Sequence, residues 1–103
     1  MYKLCFYVPQ SHLESVKAAL FGVGAGKIGD YDHCCWQVLG QGQFRPLSGS
    51  QPYLGQQGKV EVVDEYRVEM VCAEALIQQA VETLKQAHPY EEPAYDVMQV
   101  TTF

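Results

Sequence analysis

From Lys59 to Cys72 apolar and charged residues alternate. Val60, Val62, Tyr66, Val68, Met70 and Cys72 fall on one parity, and Glu61, Glu65, Arg67 and Glu69 on the other. A period of two is the signature of a strand with one buried and one wet face. Val63-Asp64-Glu65 interrupts the pattern and is expected to hold a bulge or turn.

The remaining segments fall into place around this strand. Residues 2–8 (Tyr-Lys-Leu-Cys-Phe-Tyr-Val) are β-rich and stop at Pro9, which predicts a first strand. Ser11 followed by Glu14 has the spacing of a capping box, and Leu13, Val16, Ala19 and Leu20 recur at helical spacing. That helix is expected to end at Gly22 or Gly24. A glycine-rich passage, 22–30, leads to a second strand over 33–39. A long loop, 40–58, carries Gly40, Gly42, Gly49, Gly55, Gly58, Pro46 and Pro52. Loops of this length in a compact domain are commonly functional. After the alternating strand, Leu76, Ile77, Ala80, Val81 and Leu84 form the apolar face of a helix over 73–87. Pro89 ends it, because the residue before a proline avoids helical angles. A last strand is predicted over 94–100. The order strand, helix, strand, strand, helix, strand predicts an α+β, ferredoxin-like βαββαβ fold. Its sheet is four-stranded and antiparallel, with two helices on one face. Such a sheet leaves edges and a bare face to be covered, so a homo-oligomer is expected.

At 103 residues the chain fits a single domain, 1–103, large enough to bury a core without staples. A formal charge of −5 with no basic run argues against nucleic-acid binding. No apolar run approaches the roughly 18 residues of a membrane span. Met1 to Gln10 lacks the features of a signal peptide, so a cytoplasmic location is expected. Four cysteines, Cys5, Cys34, Cys35 and Cys72, fall in or at the ends of predicted strands rather than across loops. Cys5 and Cys72 read as small buried hydrophobes.

Two clusters could carry chemistry. His88-Pro89-Tyr90-Glu91-Glu92-Pro93 packs an imidazole and two carboxylates into one stiff turn. It could ligate a divalent metal or supply an acid and a base. The plainer alternative is a rigid connection in which His88 caps the helix as a cation. Asp30-Tyr31-Asp32-His33-Cys34-Cys35 holds ligand-type residues, but adjacent strand cysteines point to opposite faces. Gly22 to Lys27 is not a phosphate loop, because Lys27 is followed by Ile28 and the segment follows a helix. Its backbone could still approach an anion. No Ser/His/Asp or Cys/His pairing supports nucleophilic catalysis.

The segment from Ala87 to Val97, with its His-Pro-Tyr-Glu-Glu-Pro core, resembles the PII/CutA-like insertion domain of the NGG-interacting-factor-three family. Gly24 to Cys34, Gly40 to Pro46 and Gly49 to Gly55 match the same family in order and at compatible spacing. The His-Pro-Tyr-Glu element is also similar to one in CutA proteins. The resemblance implies a PII/CutA-type domain that commonly trimerises and uses the long loop between its second and third strands for contacts. In that family the domain is inserted between two halves carrying a dinuclear metal site. The 103 residues leave none over for those halves, so neither those ligands nor a hydrolase-like activity carries over.

The reading that follows is an oligomeric binding or regulatory module, without self-sufficient catalysis, for a small ligand, metal ion or protein partner. Its site is expected between subunits, near the 40–58 loop, the 22–31 loop and His88 to Glu92, with Gly26, Lys27, Tyr31, His88, Tyr90, Glu91 and Glu92 as ligand-binding residues. The alternative is a copper or zinc protein in the CutA manner, with His33, His88, Glu91 and Glu92 as ligands to a divalent metal ion. A third reading is an enzyme with Glu91 or Glu92 as base and His88 or Tyr90 as acid.

Overall fold

In the computed structural model, which describes residues 1–103, β1 (Tyr2–Pro9) runs through the middle of the sheet. It lies between β3 (Glu61–Cys72) and β4 (Tyr95–Gln99), and β2 (Trp36–Phe44) forms the far edge. The order is β2-β3-β1-β4 and every pairing is antiparallel. Helices α1 (Gln10–Gly22) and α2 (Ile77–Ala87) pack on each other over one face, and a short 3-10 turn, Glu74–Leu76, leads into α2. No helix is long and apolar enough to cross a membrane. The α+β, ferredoxin-like architecture expected from the segment order is the one observed.

The alternation in β3 sets the core. Val68, Met70 and Cys72 face the helices and are buried together with Leu4, Phe6 and Val8 of β1. Leu13, Val16 and Leu20 of α1 and Ala80 and Leu84 of α2 close the layer from above. Full burial of a side chain such as Phe6 or Leu84 stabilises the fold by about 1.5–3 kcal/mol. The pattern weakens at the start of β3, where Val60 and Val62 stay exposed. β1 reaches only as far as Glu65, so the segment before it pairs with β2 alone.

Several boundaries differ from those expected. Helix α1 starts one residue before Ser11, with Pro9 in the capping position and no side-chain cap. The Ser11 hydroxyl lies 2.8 Å from His12 Nδ1 instead, so the capping box does not form. β2 begins at Trp36 rather than His33, because His33 adopts a φ of 55° that breaks an extended strand. Cys34 is held by its N–H on the Gly26 carbonyl at 2.8 Å. At its other end β2 continues through Gly40 and Gly42 to Phe44, which shortens the irregular connection to 45–60. Val63-Asp64-Glu65 forms no bulge and pairs residue for residue with Gly42-Gln41-Gly40. All four cysteines are free, and Cys5 and Cys72 are buried as expected.

Candidate functional site

The site is built where β1 ends and α2 turns back towards the sheet. Pro89 forces His88 into an extended conformation, with φ −74° and ψ 138°. Its side chain then swings onto β1. His88 Nδ1 accepts the Tyr90 N–H at 3.1 Å, and His88 Nε2 lies 2.6 Å from the Tyr7 carbonyl. A backbone N–H can only donate, so Nδ1 carries the lone pair and Nε2–H donates to Tyr7. Burial pulls the His88 pKa down, the Tyr7 carbonyl opposes this in part, and His12 adds to the lowering. His88 is therefore a neutral strut between turn and sheet. It does not cap α2 as a cation, and neither ring nitrogen is free for a metal.

This strut positions Tyr90. Its ring packs against His88 (4.8 Å between centroids), Phe44 at the end of β2 (6.0 Å) and Tyr53 of the 45–60 loop (6.1 Å). Tyr53 in turn meets His12 edge-on at 5.9 Å, which ties the loop to α1. The loop carries its own bonds: Ser50 N–H and Oγ–H both donate to the Leu47 carbonyl, and Gly58 N–H donates to the Pro46 carbonyl at 2.7 Å. Gln51 N–H donates to Glu91 Oε1 at 3.1 Å, fastening the loop to the turn.

Between these walls lies a cavity of about 230 Å³. That is smaller than the roughly 300–1,000 Å³ of pockets for drug-sized molecules. Phe44, Tyr53 and Tyr90 line it together with Glu65, Glu91 and Glu92, and no lysine or arginine does. The Tyr90 hydroxyl oxygen is buried there beside the Glu65 carboxylate, with no hydrogen bond made within 3.5 Å. Burial, and then the negative charge of Glu65, push the Tyr90 pKa strongly upward. Burial also raises the Glu65 pKa, which the nearby Tyr90 hydroxyl offsets in part. The Glu65 carboxylate lies directly over Gly42, where any side chain carbon would collide with it. Glycine in β2 thus makes room for an acid on β3. The ion pairs of the chain join Lys17 to Glu14, Arg67 to Glu69 and His33 to Asp32, so none of the three cavity carboxylates has a cationic partner.

The residues nominated from the sequence are divided. Tyr90, Glu91 and Glu92 line the cavity and His88 supports it from behind. Gly26 lies at the opposite end of the sheet, where its N–H donates to the Val71 carbonyl at 2.8 Å. From Glu65 to Val71 along β3 is roughly 20 Å at strand spacing. Lys27 and Tyr31 continue from Gly26 on an exposed hairpin closed by the Ile28–Tyr31 bridge. His33 packs on Phe21 at 4.7 Å and lines a separate shallow groove with Lys17 and Cys35. No three His, Cys, Asp or Glu side chains converge within one copy to hold a metal ion, so His33, His88, Glu91 and Glu92 do not form the expected cluster. Gly42, Phe44 and Tyr53 belong to the 40–58 segment expected near the site, though the sequence singles out none of them, and Glu65 gives no site signal at all. Two glycines at alternate positions, Gly40 and Gly42, were the available signal of a strand with something lying over it.

Comparison with known proteins accords with this architecture. No family model matches the chain. It is 47% identical over 95 residues to a GTP cyclohydrolase 1 type 2 homolog of Mycobacterium leprae, covering 92% of this chain and 25% of that protein. The chain thus spans about a quarter of the length of that curated relative. A Bacillus cereus protein related to NIF3 superposes with a TM-score of 0.84 at 38% identity, over 98% of this chain and 26% of that one. CutA from Xylella fastidiosa superposes with a TM-score of 0.72 at 20% identity, over 99% of this chain and 85% of its own, which is a likeness of fold. By sequence the chain is similar to about a quarter of these NIF3-related proteins, and by architecture it has a CutA/PII-like fold.

Proposed function

We propose that this domain is a binding or regulatory module of the PII/CutA type that works as a homotrimer and receives a small ligand in the cavity around Tyr90. The observation that carries the reading is the preformed cavity itself. Phe44, Tyr53 and three carboxylates from β2, β3, the 45–60 loop and the 88–94 turn gather around the buried Tyr90 hydroxyl, which lies beside Glu65 without a bond within 3.5 Å. Buried polar groups are ordinarily satisfied, and one left open in a cavity suits a ligand that completes it. The trimer is supported by the sheet face turned away from the helices. Trp36, Val38 and Met98 stand opposite Glu69, Arg67 and Lys3 and expose 58%, 43% and 47% of their surface. Apolar surface on an uncovered sheet face favours association. Gly26, Lys27 and Tyr31 enter the site only through a neighbouring copy, which would have to bring its exposed hairpin to the cavity mouth. Native mass spectrometry of protein purified without chelator tests the reading. A trimer carrying stoichiometric added mass supports it, and a bare monomer contradicts it.

A further inference from the structure

We infer that the cavity ligand presents a primary ammonium group, held between the Glu65 carboxylate and the aromatic rings of Tyr53 and Tyr90. This rests on the reading of the domain as a binding module and names the chemistry of what it binds. Three features of the cavity converge on such a group.

The first is charge. Every ionised side chain lining the cavity is a carboxylate: Glu65, Glu91 and Glu92. Glu91 already accepts the Gln51 N–H, and none of the three is paired with a lysine, arginine or histidine. A half-buried carboxylate with no counter-charge is costly, and the direct remedy is a cation from outside. An anionic ligand would meet three like charges. Burial raises the Glu65 pKa, and an incoming cation would bring it down again.

The second is the aromatic wall. The rings of Phe44 and Tyr53 flank Tyr90 at 6.0 and 6.1 Å. A compact cation gains from π faces within about 6 Å, and more when it is desolvated. The third is the Tyr90 hydroxyl. Its oxygen is buried beside the Glu65 carboxylate, the one group that acts on it as a hydrogen-bond partner, yet no bond within 3.5 Å is made. A primary ammonium has three N–H donors. One can be accepted by Glu65 and one by the Tyr90 oxygen. A quaternary ammonium has none to give and would make neither bond. Gly42 keeps the floor open, because a side chain there would displace the Glu65 carboxylate.

The test uses n-butylammonium as probe, with 1-butanol, butyrate and tetramethylammonium as matched controls at constant ionic strength. Binding is followed by calorimetry and by the NMR resonances of Tyr53 and Tyr90. The expected result is saturable n-butylammonium binding that shifts those resonances, with each control at least tenfold weaker. Glu65→Gln and Tyr90→Phe, each shown to be folded by its NMR spectrum, are expected to weaken n-butylammonium by tenfold or more and by a few-fold respectively. Equal or tighter binding of 1-butanol or butyrate at the same resonances overturns the ammonium assignment and leaves the binding module standing. Equal binding of tetramethylammonium, indifferent to Tyr90→Phe, overturns the hydrogen-bonded geometry. Diffuse, unsaturable shifts that Glu65→Gln does not change overturn the inference. The module reading is judged separately, by whether the purified protein assembles and carries bound mass.

Discussion

At the residue scale the account turns on two side chains whose protonation the fold biases. Glu65 is half-buried without a counter-charge, and its pKa is raised by that burial. A raised carboxylate pKa means the folded state binds its proton more readily than the unfolded chain does. The charge therefore costs stability above that pKa, and acidification relieves the cost. Glu65→Gln is expected to raise Tm at pH 7–8, by a gain below about 1 kcal/mol because solvent screens a half-exposed charge. The gain should shrink towards pH 4 when thermal unfolding is followed by circular dichroism. An equal gain at both pH values would place its origin elsewhere. His88 works in the opposite sense. Its pKa is lowered from 6.5, so between its folded value and 6.5 the unfolded state binds more protons and stability rises with pH. Its contribution is complete above 6.5 and lost as pH falls through the folded value. His88→Gln removes both bonds of the strut and is expected to cost about 1–3 kcal/mol at pH 8. The cost should be smaller at pH 5. Parallel denaturation curves at the two pH values would contradict the neutral tautomer.

At the scale of elements, what was legible followed from periodicity. The alternation of β3 and the apolar stripe of α2 reflect burial against a continuous layer, so sequence and structure agree there. Gly40 and Gly42 were less legible. Glycine weakens a strand in isolation, yet here pairing with β3 holds both in register and Gly42 leaves space for Glu65. From sequence Glu65 belongs only to a wet face, because alternation distinguishes faces and not what folds over them. The 45–60 loop and the 88–94 turn that cover it meet through contacts distant in sequence, such as Gln51 to Glu91. The glycine passage had the reverse fate. The sequence suggests ligand contact for Gly26, and the structure gives it a packing reason. With φ at 76°, an added Cβ would sit 2.7 Å from the Phe21 ring and 2.8 Å from the Cys34 carbonyl. Gly26→Ala is expected to destabilise the domain by about 1–3 kcal/mol in urea denaturation. A change within about 0.5 kcal/mol would show that the 24–34 loop relaxes freely.

For the whole molecule, the single chain places its candidate residues at two ends of one sheet, and the proposed trimer would join one copy's hairpin to the next copy's cavity. The exposed Trp36, Val38 and Met98 lie on the sheet face that such an assembly would cover. In the proposed trimer each copy would hold its own cavity, with the mouth completed by association. The most direct test is native mass spectrometry of the untagged protein, purified without chelator. The account predicts a trimer with a small organic mass bound once per copy, retained in the wild type and lost in Glu65→Gln. A monomer with no bound mass at micromolar concentration would contradict it.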